Sequence, residues 1–303
     1  MDKIGLVTIT YNSADVLRPF LACVWKQTHS NLILYVIDNA SADATLSMLD
    51  NEKDIRLQVV KNVKNLGVAK ANNQGIRQAF LDGCDQVLII NNDVEFESTL
   101  IEKLIKIQIE EKCSLVTPKM MYYDNPKHIW YAGSWFIKKN GYLPLHRGMK
   151  ELDEGQYNKT IDVEYAPTCC LLAKKEVFQD VGLMDEKYFV YFDDTDFSYR
   201  VWKDGRHRML YCPNVEFYHK VGSLTNSFQK DAKKIFRGNF FLQQTTKNHI
   251  YFLKKIGGLF SYTFIVWLFF KNNIRFVVNP LIRKNIPTWW LINKSYFQGL
   301  LLK

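Results

Sequence analysis

The stretch QVLIINND, residues 86–93, decides the fold class. Four consecutive apolar residues, Val87 to Ile90, run straight into Asn91-Asn92-Asp93. A short unbroken apolar run that ends in polar turn formers is the pattern of a strand buried on both faces. The same pattern recurs upstream. IGLVTIT (4–10) ends at Tyr11-Asn12-Ser13, LILYVID (32–38) empties into DNASAD (38–43), and RLQVVKN (56–62) follows. Between these runs the period changes to helical. Val16, Leu17, Phe20, Leu21, Val24 and Trp25 share one face, Ser41 and Asp43 stand ready to cap a helix through Met48 and Leu49, and GVAKANNQGIRQAF (67–80) opens on glycine. Strands alternating with helices predict an α/β protein with a parallel central sheet. Ligands of such sheets bind outside the carboxyl ends of the strands. Tyr11-Asn12, Asp38-Asn39 and Asn91-Asn92-Asp93 are therefore expected to edge one site. The first strand leads into TYNSADV and not a glycine-rich turn, which argues against a dinucleotide-binding Rossmann domain, and no P-loop occurs.

Further along, LVTPKMMYY reads as another strand, WYAGSWF and 140–158 as loop and hairpin, and YAPTCCLLAKKEVFQDVG (165–182) as a strand turning into a short helix ended by Gly182. At 303 residues, 47% hydrophobic and 23% charged, the chain can bury a full core. Cys23, Cys84, Cys113, Cys169, Cys170 and Cys212 form no CxxC pair, so reduced buried thiols are expected. MDKIGLVTITYN lacks the features of a signal peptide, which points to a cytoplasmic setting.

Asp93, presented at the sheet edge beside two amides, is a hard oxygen donor suited to Mg2+ or Mn2+ held jointly with phosphates. A turn or helix cap would use the same residues. The second acidic set is YFDDTDFSYR (191–200), with Asp193, Asp194 and Asp196 among aromatics. A helix starting near Asp194 would welcome one or two of these acids at its N-terminus. A third is costly unless something cationic compensates. No glycine follows at the place an EF-hand requires. His219 comes 25 positions after Asp194. A lone histidine is more often structural, but beside two acidic sites it becomes a candidate third metal ligand.

In order and spacing, VTITYN, VIDNAS, NLGVAKANNQG, the NND variant of the DXD motif, GLMDEKYFVYFDDTDFSYR, and PNVEFYH with GS after it resemble glycosyltransferase family 2, between residue 4 and about 223. Within the family the NND triplet and the tail are similar to bacterial rhamnosyltransferase-like enzymes of cell-surface polysaccharide synthesis. The resemblance implies a GT-A fold, inverting transfer and a nucleotide-diphosphate sugar donor, with dTDP-rhamnose or a UDP-sugar as the guess, and a saccharide acceptor, lipid-linked in such pathways. It places Thr10, Tyr11, Asn12, Asp38, Asn72, Asn91 and Asn92 against the nucleotide sugar, with Asp38 accepting from the base N3–H. It makes Asp93 and His219 metal ligands, Asp194 the general base of the family's "ED" pair, and Asp193, in place of the commoner glutamate, an acceptor-side residue. Thr168 departs from the glycine many relatives carry there.

The charge of +9 is unevenly placed: after Asp231 come twelve Lys or Arg and no acid. Such a tail seeks an anionic partner. IGGLFSYTFIVWLFF (256–270), about fifteen mostly apolar residues flanked by Lys254-Lys255 and Lys271, is shorter than the ~20 of a spanning helix. Lying on an anionic membrane and packing on the catalytic domain are both open to it. The expected organisation is a catalytic domain over 1–230 and a basic, aromatic-rich, membrane-associating helical extension over 231–303, peripheral on the inner face of the cell membrane. Two other classes compete. A catalytically silent sugar-binding subunit would not need Asp93, Asp194 and His219. A nucleic-acid binder would explain the tail but not the acidic clusters, and the tail's apolar content fits lipid better, so no nucleic acid is expected.

Overall fold

The computed structural model describes residues 2–221, 238–279 and 285–302. The Gly222-Ser223 pair and the expected 230/231 boundary lie outside these residues.

The strands read as buried are buried. β1 (Ile4–Thr10), β2 (Leu32–Asp38), β3 (Leu57–Lys61) and β4 (Gln86–Ile90) pair in parallel in the order β4-β1-β2-β3. The sheet then turns mixed: β12 (Cys170–Lys174) inserts antiparallel between β4 and β6 (Leu115–Pro118), followed by β13 (Met209–Cys212) and the short edge strand β11 (Ile161–Asp162). The helices α1 (Ala14–Trp25), α2 (Thr45–Asp50), α3 (Val68–Leu81), α4 (Leu100–Glu110) and α5 (Lys175–Val181) connect the strands, and α3 packs across β1, β2 and β4. One core fills the interior, with Leu6, Val7, Leu34, Val36, Val87 and Leu172 fully enclosed.

LVTPKMMYY divides into two strands in different sheets. After Pro118 the chain turns at Lys119, whose buried ammonium pairs with Asp153 and Asn158, and β7 (Met120–Tyr122) enters a second sheet of order β5-β14-β7-β8, with β5 (Val94–Phe96), β8 (Ile129–Tyr131) and β14 (Phe217–His219). In the loop and hairpin material expected over WYAGSWF and 140–158, β9 (Phe136–Ile137) pairs with β10 (Leu143–Pro144) as a minimal hairpin.

Two tail helices pack as a unit. α7 (Asn239–Ile256) lies against the catalytic domain through Tyr251 and Phe252, which bury among Tyr188, Phe192 and Tyr199. The C-terminal helix α9 (Ile286–Leu301) rests on α7, where Gly299 approaches so closely that a Cβ would meet the Lys247 carbonyl at 2.4 Å. Between them α8 runs Gly258–Val278, 21 residues and longer than the apolar run suggested; in its added turns Asn273 bonds Asn293 and Trp289 of α9. No described helix is long and apolar enough to cross a membrane. Lys254 and Lys255, expected to flank a lipid-facing run, turn inward: Lys254 caps the last carbonyls of α9, Leu300 and Leu302, and Lys255 pairs with Asp185 and Asp196.

Candidate active site

Parallel register brings the strand exits together. Thr10 stands beside Asp38, and the Asp38 carboxylate accepts from Thr10 Oγ1 at 2.8 Å, Ser41 Oγ at 2.6 Å and the Ser41 amide at 2.9 Å. Ser41 is thus taken by Asp38 and does not cap α2; Asp43 accepts the Thr45 and Ala14 amides instead. Thr10 and Asp38 are fully enclosed, and Tyr11, 46% exposed, is the open group above them. Asn12 sits in the left-handed region and bridges the two exits: its amide donates to Ser41 Oγ, and its Oδ1 accepts from the Ala42 amide.

At the β4 exit Asn91 is exposed and Asn92 turns inward, its amide donating to the Ile9 carbonyl at 3.0 Å. Antiparallel pairing of β14 with β5 sets His219 opposite Val94, so the imidazole meets the preceding residue: Nε2 lies 3.4 Å from Asp93 Oδ1. Both side chains are buried. His219 Nδ1 and Asn92 Oδ1 are buried with no hydrogen-bond partner. No cluster of three or more His, Cys, Asp or Glu side chains suited to a metal occurs among the described residues. A carboxylate beside an imidazole is nevertheless a donor pair that suits a small hard cation drawing its other ligands from phosphate and water.

The acids of 191–200 separate by environment. Tyr191 and Phe192 both adopt the left-handed conformation (φ 65° and 70°), an arrangement that costs about 1–2 kcal/mol for each L-residue. The strained turn launches α6 (Asp193–Asp204) with its acids in the first turn. Asp194, partly exposed, accepts from the Tyr165 hydroxyl at 2.7 Å and from the Thr195 amide at 2.7 Å. Asp193 is buried beneath it. Asp196, expected as a helix cap, is no cap: its buried carboxylate holds Arg200 at 2.8 Å and Lys255 at 2.8 Å. The compensating cations for the third acid therefore come from α6 itself and from α7. Cys169 reports that the two ends of the site converge, because its thiol, pushed far up by burial, is raised further by the carboxylates of both Asp93 and Asp194.

The glycine-led helix α3 receives the loop before α6. Gly67, at φ 84°, donates no side chain because a Cβ would strike the Phe189 carbonyl at 2.4 Å, and Val68 N–H bonds that carbonyl. Asn73, not singled out from sequence, clamps Met184 through both backbone groups, whereas Asn72 packs its amide on the Met184 sulfur at 3.7 Å. Tyr165 and His146 were also invisible in the sequence. His146 stacks on Tyr165 and meets Trp130 edge-on, and burial lowers its pKa to about 4, keeping it neutral.

Burial first, then the neighbouring Asp194 charge, raise the Asp193 carboxyl; burial also raises Asp194, opposed by the Tyr165 and Thr195 donors. Both folded pKa values exceed the unfolded ones, so above about pH 3.9 the native state holds more protons, and stability falls as pH rises through the folded values. With Asp194 as the general base, which must be unprotonated to work, kcat/KM is predicted to rise along a limb displaced above the ordinary carboxylate range. Asp193→Asn removes the like charge. It should move that limb to lower pH and flatten the loss of stability; a pH–rate profile and melts across the same range check both, and an unmoved limb would deny the coupling.

Residues 6–182 match the family described as Glycosyl transferase family 2, more than half of the chain. The chain belongs to that family. It is a glycosyltransferase, with the GT-A-like fold that the resemblance implied. The family match ends before Asp193 and does not reach α6. The chain is 26% identical over 223 residues to a dTDP-rhamnosyl transferase of Shigella flexneri, covering 73% of this chain and 70% of that one. It is 24% identical over 245 residues to the N-acetylglucosaminyl-diphospho-decaprenol L-rhamnosyltransferase of Mycobacterium tuberculosis, covering 72% and 76%. Among solved structures it resembles S. aureus TarS 1–349 in complex with UDP-GlcNAc (TM-score 0.60, 14% identity, 98% of this chain and 81% of that one). It also resembles GalNAc-T7 with UDP, GalNAc and Mn2+ (TM-score 0.62, 15% identity, 84% and 48%).

Proposed function

We propose that this glycosyltransferase moves a sugar, with inversion, from a nucleoside diphosphate sugar to a saccharide carried on a lipid. The observation that carries the reading is that two differently held carboxylates share one neighbourhood: Asp93, paired with His219, and Asp194, held by the Tyr165 hydroxyl, both raise the thiol of Cys169. The nucleoside lies at the β1–β2 exits against Tyr11 and Asn12, with Asp38 enclosed beneath them and held by Thr10 and Ser41. Asn72, Asn91 and Asn92 border the sugar diphosphate. Asp93 and His219 would hold Mg2+ or Mn2+, whose contribution is to neutralise charge on the departing diphosphate. Asp194 takes the proton of the acceptor hydroxyl as that oxygen attacks the anomeric carbon, Tyr165 fixes the orientation of its carboxylate, and Asp193 shapes the acceptor side. One base opposite one leaving group gives a single displacement, and hence inversion. Rhamnose is the first donor to try, since relatives named as rhamnosyltransferases are among those found.

Membrane contact belongs to the same proposal. α8 turns an apolar stripe outward: Leu259, Tyr262, Val266, Phe270 and Ile274 are all at least half exposed. Lys271 lies over Trp267 beside that stripe. An interfacial helix on anionic lipid has this composition. A cavity of about 350 Å3 lined by Leu143, Phe192, Phe241, Leu268 and Tyr296 lies between the tail helices and the start of α6. A cut near residue 245 would fall inside α7, so substitutions on α8 are the better test. Val266→Asp with Phe270→Asp should weaken co-sedimentation with anionic phospholipid vesicles by at least about tenfold, given ~1.5–3 kcal/mol per buried large apolar side chain. Unchanged binding would refute the assignment of this face.

The function itself is tested by thermal shift and transfer assays over dTDP-, UDP- and GDP-sugars with and without Mn2+, using a polyprenyl-diphosphate saccharide as acceptor. Stabilisation by one nucleotide class and inverted product linkage are expected. No shift with any of them would sink the reading.

A further inference from the structure

α7 belongs to the tail, yet its most buried polar residue does not serve the tail. Asn248 is fully enclosed, and its amide nitrogen donates to the Val190 carbonyl at 2.9 Å and the Tyr191 carbonyl at 2.8 Å. These are the carbonyls of the turn whose next members, Tyr191 and Phe192, hold positive φ and immediately precede Asp193 and Asp194. The amide orientation is forced, because the flipped form would set an oxygen against two carbonyl oxygens. Asn248 Oδ1 is left buried without a partner, so the residue is oriented for the turn at its own expense. Two neighbours act on the same segment. His249 stacks on Phe192 with ring centres 5.4 Å apart, held by the Gly141 carbonyl, and Lys255 bridges Asp185 before the turn to Asp196 after it.

We infer that α7 is part of the catalytic apparatus, and that Asn248 is a positioning residue holding the strained 190–192 turn so that Asp194 is aimed at the acceptor. A left-handed pair of bulky residues persists only where its surroundings over-determine it. Two convergent N–H bonds from a rigid helix supply that determination, and neither comes from the domain that carries the nucleotide end of the site. The inference rests on the reading of Asp194 as base, and goes beyond it in assigning the tail a role in turnover apart from membrane contact.

The test compares Asn248→Ala with Asn248→Ser, which keeps one donor, in the full chain. Three quantities are measured: turnover, nucleotide-sugar affinity and amide hydrogen exchange over 189–196. Asn248→Ala should lower kcat about a hundredfold, the scale of an ångström-level misplacement. Nucleotide affinity should stay within about twofold, exchange should quicken in 189–196 alone, and the serine variant should fall between. Should the alanine protein not fold, the serine protein decides by the same readings. Unchanged kcat overturns the inference, as does loss of nucleotide affinity in step with kcat, the mark of general destabilisation. If the wild type transfers no sugar, the functional reading fails on its own account. Exchange then judges the clamp, and unaltered exchange over 189–196 overturns it.

Discussion

Asp194→Asn should reduce turnover by at least about a thousandfold, within the range a positioned general base contributes. Asparagine has the same shape: its Oδ1 still accepts the Thr195 amide and its NH2 donates to the oxygen of Tyr165, whose hydroxyl now bonds the carboxylate at 2.7 Å, so the turn and the acceptor pocket keep their form. What is lost is the basic oxygen. An acceptor hydroxyl is a poor nucleophile until its proton has somewhere to go, and no other described carboxylate is placed to take it: Asp193 lies buried beneath, and Asp196 is committed to Arg200 and Lys255. Affinity for the nucleotide sugar should be nearly unchanged or rise slightly, since one negative charge near the diphosphate has gone. Steady-state transfer with a parallel nucleotide titration separates these effects. Retention of more than about a tenth of wild-type turnover would remove Asp194 from the role, because loss of a general base costs at least a hundredfold.

The parts of this fold that could be read from sequence are those governed by local pattern. Continuous apolar runs such as 87–90 and 34–37 can bury only in a two-sided sheet, and the exits that follow them are forced to its edge. Asp93 and Asp38 were visible for that reason, whereas Asp194 stood out as one of three acids among aromatics, with its role implied by the family resemblance. What escaped depends on partners far away in the chain. Lys255 meets Asp196 across 59 positions, Tyr165 meets Asp194 across 29, and Asn248 meets Tyr191 across 57. No periodicity encodes such pairs. Asp196 looked like a cap because a carboxylate in a first turn is ordinarily explained by the helix dipole, and a cation that holds it comes from the basic tail, whose pattern left packing on the domain and contact with lipid equally open. Lys119 misled in the same way: a lysine within a strand-like run reads as an exposed position, yet here it is buried on Asp153 and breaks the run in two.

Replacing Asp93 has the second large effect. In Asp93→Ala, His219 keeps its place against Trp130, with ring centres 4.6 Å apart, and Asn92 keeps its bond to Ile9, so the pocket retains its walls and loses its one charged oxygen donor on this side. If that donor serves a divalent cation shared with the diphosphate, two measurements change together. Nucleotide-sugar binding by the wild type should tighten on addition of Mn2+ and be weakened by a chelator, whereas the variant should bind equally with and without the ion. Turnover should fall by roughly a thousandfold or more, the several kcal/mol that charge neutralisation supplies to a departing diphosphate. His219→Ala provides the graded case: with Asp93 intact, the cation dependence should persist at a higher Mn2+ concentration, as expected when one of two protein ligands is removed. A chelator-insensitive wild type would instead assign Asp93 and His219 to a hydrogen-bonded pair that steers the sugar. Asp93 and Asp194 would then no longer belong to separate halves of one displacement.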